Sequence, residues 1–263
     1  MIPARKSWGQ HFLASEETAL RIVLAARIGP ADTVVEVGPG DGALTRPLAE
    51  RAGRVLAIEI DPRRAAAIAE ELAGSPGVRI LHGDALERPF GAWLAQERWP
   101  PPAVLVSNLP YNAATPIVRA AIEEPDAISR AVVTVQREVA ERLRAGPGDD
   151  GYGYLSVRAA AFARARILFE LPPGAFRPRP KVTSSVVELT PRSPALDPDR
   201  RERALALASL GFRSRRKTLA NALALAGRRE EWERALEAIG KSGRVRAEEL
   251  SLEDYLRLAE VAK

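Results

Sequence analysis

Short apolar runs punctuate the N-terminal part of the chain: Val34-Val35-Glu36-Val37, Val55-Leu56-Ala57-Ile58, Val78-Arg79-Ile80-Leu81, Val104-Leu105-Val106 and Ala131-Val132-Val133-Thr134-Val135. Segments with apolar residues at helical spacing separate them. The alternation predicts repeated strand–helix units, and hence an α/β fold built on a mostly parallel, doubly wound sheet. Two later runs, Ile167-Leu168-Phe169 and Val182 to Leu189, lie close together and predict an antiparallel edge. Pro191, Pro194 and Pro198 then mark a linker, after which Arg200 to Lys263 reads as helical with no strand signal. The expectation is a larger α/β domain over 1–192 and a small helical domain over 193–263.

With 263 residues and 46% apolar content the chain can bury a full core. It has no cysteine, which excludes disulfides, thiolate nucleophiles and cysteine metal sites. Its only histidines are His11 and His82, so neither a zinc site nor a histidine triad is expected, and no metal is. Charged residues or proline interrupt every candidate apolar span, which argues against a signal peptide or a membrane helix and for a cytoplasmic protein. The formal charge of +5 suits a polyanionic partner without proving one. Of 39 basic residues only five are Lys, an imbalance that genomic base bias explains as well as phosphate binding does, so only local clusters of Arg carry an argument.

Glu36-Val37-Gly38-Pro39-Gly40-Asp41-Gly42-Ala43 follows the first long apolar run and opens a helix, a place where glycines permit a tight turn and close approach of a ligand. Glu59 stands at the tip of the second strand, where a ribose-binding acid sits, and Asp84 at the tip of the third, where it can accept from an adenine amino group. Dinucleotides and S-adenosylmethionine both fit this logic. Pro39 favours the second, because it removes a backbone donor from a loop that would otherwise face pyrophosphate. Gly240-Lys241-Ser242 resembles the end of a phosphate loop, but position 235 is Ala where that motif requires Gly, so a helix-terminating glycine is the better reading.

Asn108-Leu109-Pro110-Tyr111 ends the fourth run. It places a carboxamide, a stiff turn and an aromatic ring at one strand tip. The Asn oxygen and a backbone carbonyl can both accept hydrogen bonds from an exocyclic amine, Pro110 offers no N–H to compete, and Tyr111 can stack on a flipped base. The string alone is equally a strand followed by a proline turn with a packed tyrosine.

Together with Lys6-Ser7-Trp8-Gly9-Gln10-His11-Phe12-Leu13, Tyr152-Gly153-Tyr154-Leu155-Ser156-Val157, Phe176-Arg177-Pro178-Arg179-Pro180-Lys181-Val182 and Phe212 to Asn221, these motifs resemble, over nearly the whole chain, the ribosomal RNA adenine dimethyltransferases, most closely the small-subunit branch. The resemblance implies a Rossmann-like methyltransferase sheet with a C-terminal helical domain. It further implies S-adenosylmethionine as cofactor, with His11, Leu13, Gly38, Glu59, Asp84 and Asn108 around it. Asn108, Leu109, Pro110 and Tyr111 then hold the target base, with Phe176 covering it opposite Tyr111; without the family, Phe176 reads equally as a core aromatic. Arg213, Arg215, Arg216 and Lys217, a basic run on a helix, are expected to contact RNA backbone. The implied reaction is dimethylation at N6 of two adjacent adenosines in the 3′-terminal hairpin of 16S rRNA, in the small subunit or its precursor. The alternatives are a large-subunit (23S) methyltransferase of the macrolide-resistance type and an RNA-binding assembly factor; Leu109, where those 23S enzymes usually carry Ile, argues against the first. Asp41, where relatives often have Leu or Thr, and Tyr154, where many have Arg, depart from the pattern.

Overall fold

The computed structural model describes residues 9–214 and 216–261; Lys6-Ser7-Trp8 of the N-terminal motif and Arg215 of the basic run lie outside the described residues. In chain order the elements are β1 (Phe12–Leu13), α1 (Glu16–Ala26), β2 (Thr33–Val37), α2 (Thr45–Ala49), β3 (Arg54–Glu59), α3 (Pro62–Glu71), β4 (Val78–His82), α4 (Phe90–Gln96), β5 (Ala103–Asn108), α5 (Ala114–Glu123), β6 (Ile128–Gln136) and α6 (Arg137–Arg144). There follow α7 (Tyr154–Phe162), β7 (Ala163–Leu171), β8 (Phe176–Arg177), β9 (Ser184–Pro191), α8 (Pro198–Arg213), α9 (Leu219–Leu223), α10 (Arg229–Ala238) and α11 (Leu252–Val261).

Seven strands form one sheet in the order β4-β3-β2-β5-β6-β9-β7, parallel from β4 to β6, with β9 antiparallel to β6. The expected α/β architecture is therefore present, including the antiparallel edge. Every residue of β2 is buried, as are Val55 to Glu59 of β3 and Ala103 to Ser107 of β5, which is why these strands read as unbroken apolar runs. The register aligns the carboxyl ends: Val37 pairs with Ile58, and Glu59 with His82. Ligand-binding loops thus leave the sheet side by side. Among the described residues no helix is long and apolar enough to cross a membrane.

The chain divides into two compact units, and the division corrects the expected single cut after residue 192. Unit 1 is Met1–Ala140 with Ala165–Pro191, and unit 2 is Glu141–Arg164 with Arg192–Lys263. The segment carrying α7 joins the C-terminal helices for identifiable reasons. Tyr152 donates its hydroxyl to the Leu250 carbonyl at 2.7 Å and meets the Phe212 ring edge-on at 6.0 Å, while the Arg201 guanidinium lies 4.3 Å from the centroid of Phe162. Gly240, at φ +79°, stands just past α10, as a helix terminator does.

Candidate active site

The site lies in unit 1, at the ends of β2, β3 and β5. After Val37 the chain turns through Gly38 (φ +70°) and Gly40 (φ +60°). Gly38 donates to the Ile58 carbonyl at 2.8 Å, and Gly40 donates to Glu59 Oε2 at 3.0 Å; Asp61 N–H donates to Glu59 Oε1 at 2.9 Å. Glu59 is therefore fixed by two backbone donors at the foot of the glycine turn. Burial raises its pKa, against the lowering effect of those donors and of Arg64 nearby. Glu36, 1% exposed, is pushed up to about 8, first by burial and further by the Glu59 carboxylate.

Asp41 forms an ion pair with Arg64 of α3, whose side chain is 1% exposed, and the Arg64 guanidinium lies 4.3 Å from the centroid of the Phe12 ring. This pairing gives the departure at position 41 a structural reason. The Phe12 ring in turn rests on Gly40, where a Cβ would fall 2.5 Å from its nearest atom. Residues 10–13 thus form a strap over the glycine turn. Periodicity does not mark the strap, since β1 and β8 are two-residue strands, pairing Phe12 with Arg177 and Leu13 with Phe176; only the family resemblance implied that Gln10-His11-Phe12-Leu13 closes over the cofactor.

At the tip of β5, Asn108 Nδ2 donates to the His11 carbonyl at 2.8 Å, which fixes the carboxamide's orientation and leaves Asn108 Oδ1 buried with no hydrogen-bond donor. Leu109 is 1% exposed and donates to the Thr134 carbonyl at 3.2 Å. Tyr111 N–H donates to the Gly9 carbonyl at 3.3 Å, and its hydroxyl is hydrogen-bonded to Ser184. Burial raises the phenol pKa, against that hydrogen bond. The His11 ring stacks on Tyr111 with centroids 4.9 Å apart, and His11 Nδ1 lies 2.7 Å from the Pro178 carbonyl, to which it donates because a carbonyl can only accept.

A cavity of about 230 Å³ joins these parts, with Gln10, His11, Phe12, Gly38, Gly40, Glu59, Ile60, Asn108, Leu109, Pro110, Asn112 and Ala113 on its wall. His11, Gly38, Glu59, Asn108, Leu109 and Pro110 were expected here; Ile60 and Asn112 were not. Three expected residues stand elsewhere. Leu13 packs partly buried against the core and lines a neighbouring, larger cavity. Asp84 is exposed at the end of β4, where its Oδ1 accepts from Leu86 N–H at 2.9 Å. Tyr111 is off the cavity wall, with His11 on its ring. The placement of Phe176 over a base is corrected: the side chain is 0% exposed and packs in the core with Val132 and Val186, so it has no free face for a base. The basic run is also corrected. Among the described residues of the run only Arg213 belongs to a helix, because Ser214 ends α8 and Thr218 caps α9, and Arg216 and Lys217 stand exposed ahead of that cap.

A parallel sheet whose strand tips supply a glycine turn, a buried Glu and an Asn-Leu-Pro-Tyr corner is the plan of a Rossmann-like methyltransferase. Comparison with known proteins narrows the class. The pattern of the family described as Ribosomal RNA adenine dimethylase matches residues 1–263, and the chain belongs to that family, whose members carry methyl groups from S-adenosylmethionine to rRNA adenines. Ribosomal RNA small subunit methyltransferase A of Xanthomonas axonopodis pv. citri (strain 306) is 42% identical over 261 residues, 98% of this chain and 96% of its own. A dimethyladenosine transferase from Plasmodium falciparum superposes with a TM-score of 0.79 at 25% identity, over 94% of this chain and 96% of that one. The 23S rRNA methyltransferase ErmE superposes with a TM-score of 0.73 at 31% identity, over 95% and 99%.

Proposed function

We propose that the protein dimethylates N6 of two adjacent adenosines in the 3′-terminal hairpin of 16S rRNA, within the small subunit or its precursor in the cytoplasm. The single observation that carries the site assignment is Asn108: its amide N–H is committed to His11, and its buried Oδ1 has no donor. A buried acceptor left unmet costs about 1–3 kcal/mol, a cost that an incoming amine removes. The small-subunit reading is supported by the 42% identity to a small-subunit methyltransferase, against 31% to a 23S enzyme.

The residues present fit S-adenosylmethionine. Gly38 and Gly40 leave room where side chains would intrude, and the Glu59 carboxylate keeps lone pairs beyond those its two backbone donors use, enough for ribose hydroxyls. Asp84 at the neighbouring tip takes the adenine amino group, while His11 and Leu13 belong to the strap that closes the site. When bound, the cofactor supplies an electrophilic methyl group on a cationic sulfur. Asn108 Oδ1 and the Leu109 carbonyl accept from the target amine, aim its lone pair and take up the positive charge that grows on it. Tyr111 and His11, stacked together, set the aromatic side of the base site; Phe176 supports the strap through Leu13. Arg213, Arg216 and Lys217, with Arg215, hold RNA backbone.

Asn108→Ala tests the assignment. Methyl transfer is abolished while cofactor affinity stays within about tenfold, since the lost group acts on the amine. Near-normal turnover, or a loss confined to cofactor binding, contradicts the role.

A further inference from the structure

Arg177, the last residue of β8, and Arg179 and Lys181 of the loop that leaves it alternate with Pro178 and Pro180. All three cations are exposed, and none forms an ion pair with a carboxylate among the described residues. Most other arginines of the site are already engaged: Arg64 with Asp41, Arg46 with Glu71 and Arg51 with Glu50. The loop is also tied to the site at two points. Arg177 pairs in register with Phe12 of the strap, and the Pro178 carbonyl accepts from the His11 ring, which itself stacks on Tyr111 and lines the cavity holding Asn108. Two prolines limit the loop's freedom, so its cations are held near one place without the entropy loss of ordering a supple segment.

Unpaired cations on a stiff loop beside a base-sized site have one fitting partner in an RNA enzyme. Swinging a nucleotide out of its stack costs a few kcal/mol and turns its own phosphates toward the rim of the pocket that takes the base. Contacts to those phosphates stabilise the flipped state whatever the sequence. The larger cavity beside the strap, about 1020 Å³, reaches Arg177 and Pro178 at one side but is no anion site in itself: Glu16, Glu17, Asp41 and Glu50 also line it, and its Arg46 and Arg51 are paired. The anion-binding surface is the outer loop.

We propose that Arg177, Arg179 and Lys181 form a phosphate-gripping rim that holds the RNA backbone on either side of the adenosine being methylated. This rests on the reading of the protein as an rRNA adenine methyltransferase, and it separates two kinds of RNA contact. The Arg213–Lys217 run secures the substrate as a whole; the rim acts on the flipped nucleotide and so on the rate after binding.

The test combines Arg177→Gln, Arg179→Gln and Lys181→Gln in one variant. Because the three side chains are exposed, the variant keeps its melting temperature and its affinity for S-adenosylmethionine, both measured first as evidence of folding. Single-turnover methyl transfer is then followed on unmodified small subunits at saturating concentration, and binding of the same particles is titrated against salt. The inference predicts a rate at saturation lower by at least about tenfold, and a log–log salt slope smaller by roughly 0.7–0.9 for each phosphate that the variant no longer neutralises. A fluorescent 2-aminopurine at the target position of the hairpin shows less unstacking with the variant than with the parent. An unchanged rate at saturation overturns the rim, even if affinity falls. A parent protein that transfers no methyl group to the particles overturns the functional reading and the rim with it, whereas an active parent matched by the variant overturns the rim alone.

Discussion

Gly40 and Gly42 share one turn and the same handedness, φ +60° and +78°, yet replacing each by Ala should have different consequences. The backbone cost is common to both, roughly 1–2 kcal/mol for a side chain held in the left-handed region. What the new methyl group meets is different. At Gly42 the nearest atoms belong to the Arg46 guanidinium, 3.3–3.4 Å away, the tip of a long side chain that can give way. At Gly40 the Cβ falls 2.5 and 2.6 Å from two atoms of the Phe12 ring, against a usual contact of about 3.5–4.0 Å, so the ring must retreat by about 1 Å. That ring carries the strap, and the Gly40 N–H beneath it donates to Glu59, a charge-assisted bond worth about 1.5–3 kcal/mol. Gly42→Ala should therefore weaken S-adenosylmethionine binding by about tenfold, and Gly40→Ala by about 3–5 kcal/mol, hundreds- to thousands-fold. Calorimetric titration of both variants, with melting temperatures as a control for folding, gives the comparison. Adding Phe12→Ala to Gly40→Ala should return part of the loss. Equal losses in the two single variants would mean that backbone strain alone accounts for them and that the Phe12 ring plays no part.

Two further predictions concern buried carboxylates. Glu36 is neutral in the folded chain up to about pH 8, against an ordinary value of 4.5, so stability present below 4.5 is lost as pH rises through 8; Glu36→Gln should gain on the parent as urea midpoints are followed over that range, and parallel curves would exclude a buried proton. In unit 2, burial opposes ionisation of Asp254, but Ser251, Lys241 and Arg257 outweigh it and hold the pKa down at about 2; Asp254→Asn should cost about 2 kcal/mol above pH 4, with the difference from the parent shrinking as pH falls toward 2.

What was legible in the sequence follows from periodicity and its limits. The strands β2, β3, β5 and β6 were marked because burial on both faces demands apolar runs, the edge strand β4 by its Val78, Ile80 and Leu81 alone, and the rule that ligands gather at parallel strand ends then picked out Gly38, Glu59 and Asn108. The strap was legible only through the resemblance carried by Gln10-His11-Phe12-Leu13, since two residues pairing across the length of the unit have no period to read. Partnership at a distance was hidden: nothing local to Asp41 names Arg64, and nothing in Tyr152-Gly153-Tyr154 announces that Tyr152 reaches Leu250 and draws its segment into the second unit. Phe176 shows the opposite failure. A motif singled it out, but only burial distinguishes a base-covering ring from a core one. The basic run was read as one helix because Arg and Lys are good helix formers, while the breaks at Ser214 and Thr218 come from capping.

Substrate identity is read directly by incubating the purified protein with methyl-labelled S-adenosylmethionine and a mixture of unmodified small and large ribosomal subunits, and then mapping the labelled nucleotides by nuclease digestion and mass spectrometry. Dimethyladenosine is expected at two adjacent positions in the 3′-terminal hairpin of small-subunit rRNA, and none in that hairpin with Asn108→Ala. Label in large-subunit rRNA, or transfer that Asn108→Ala leaves intact, would contradict this expectation.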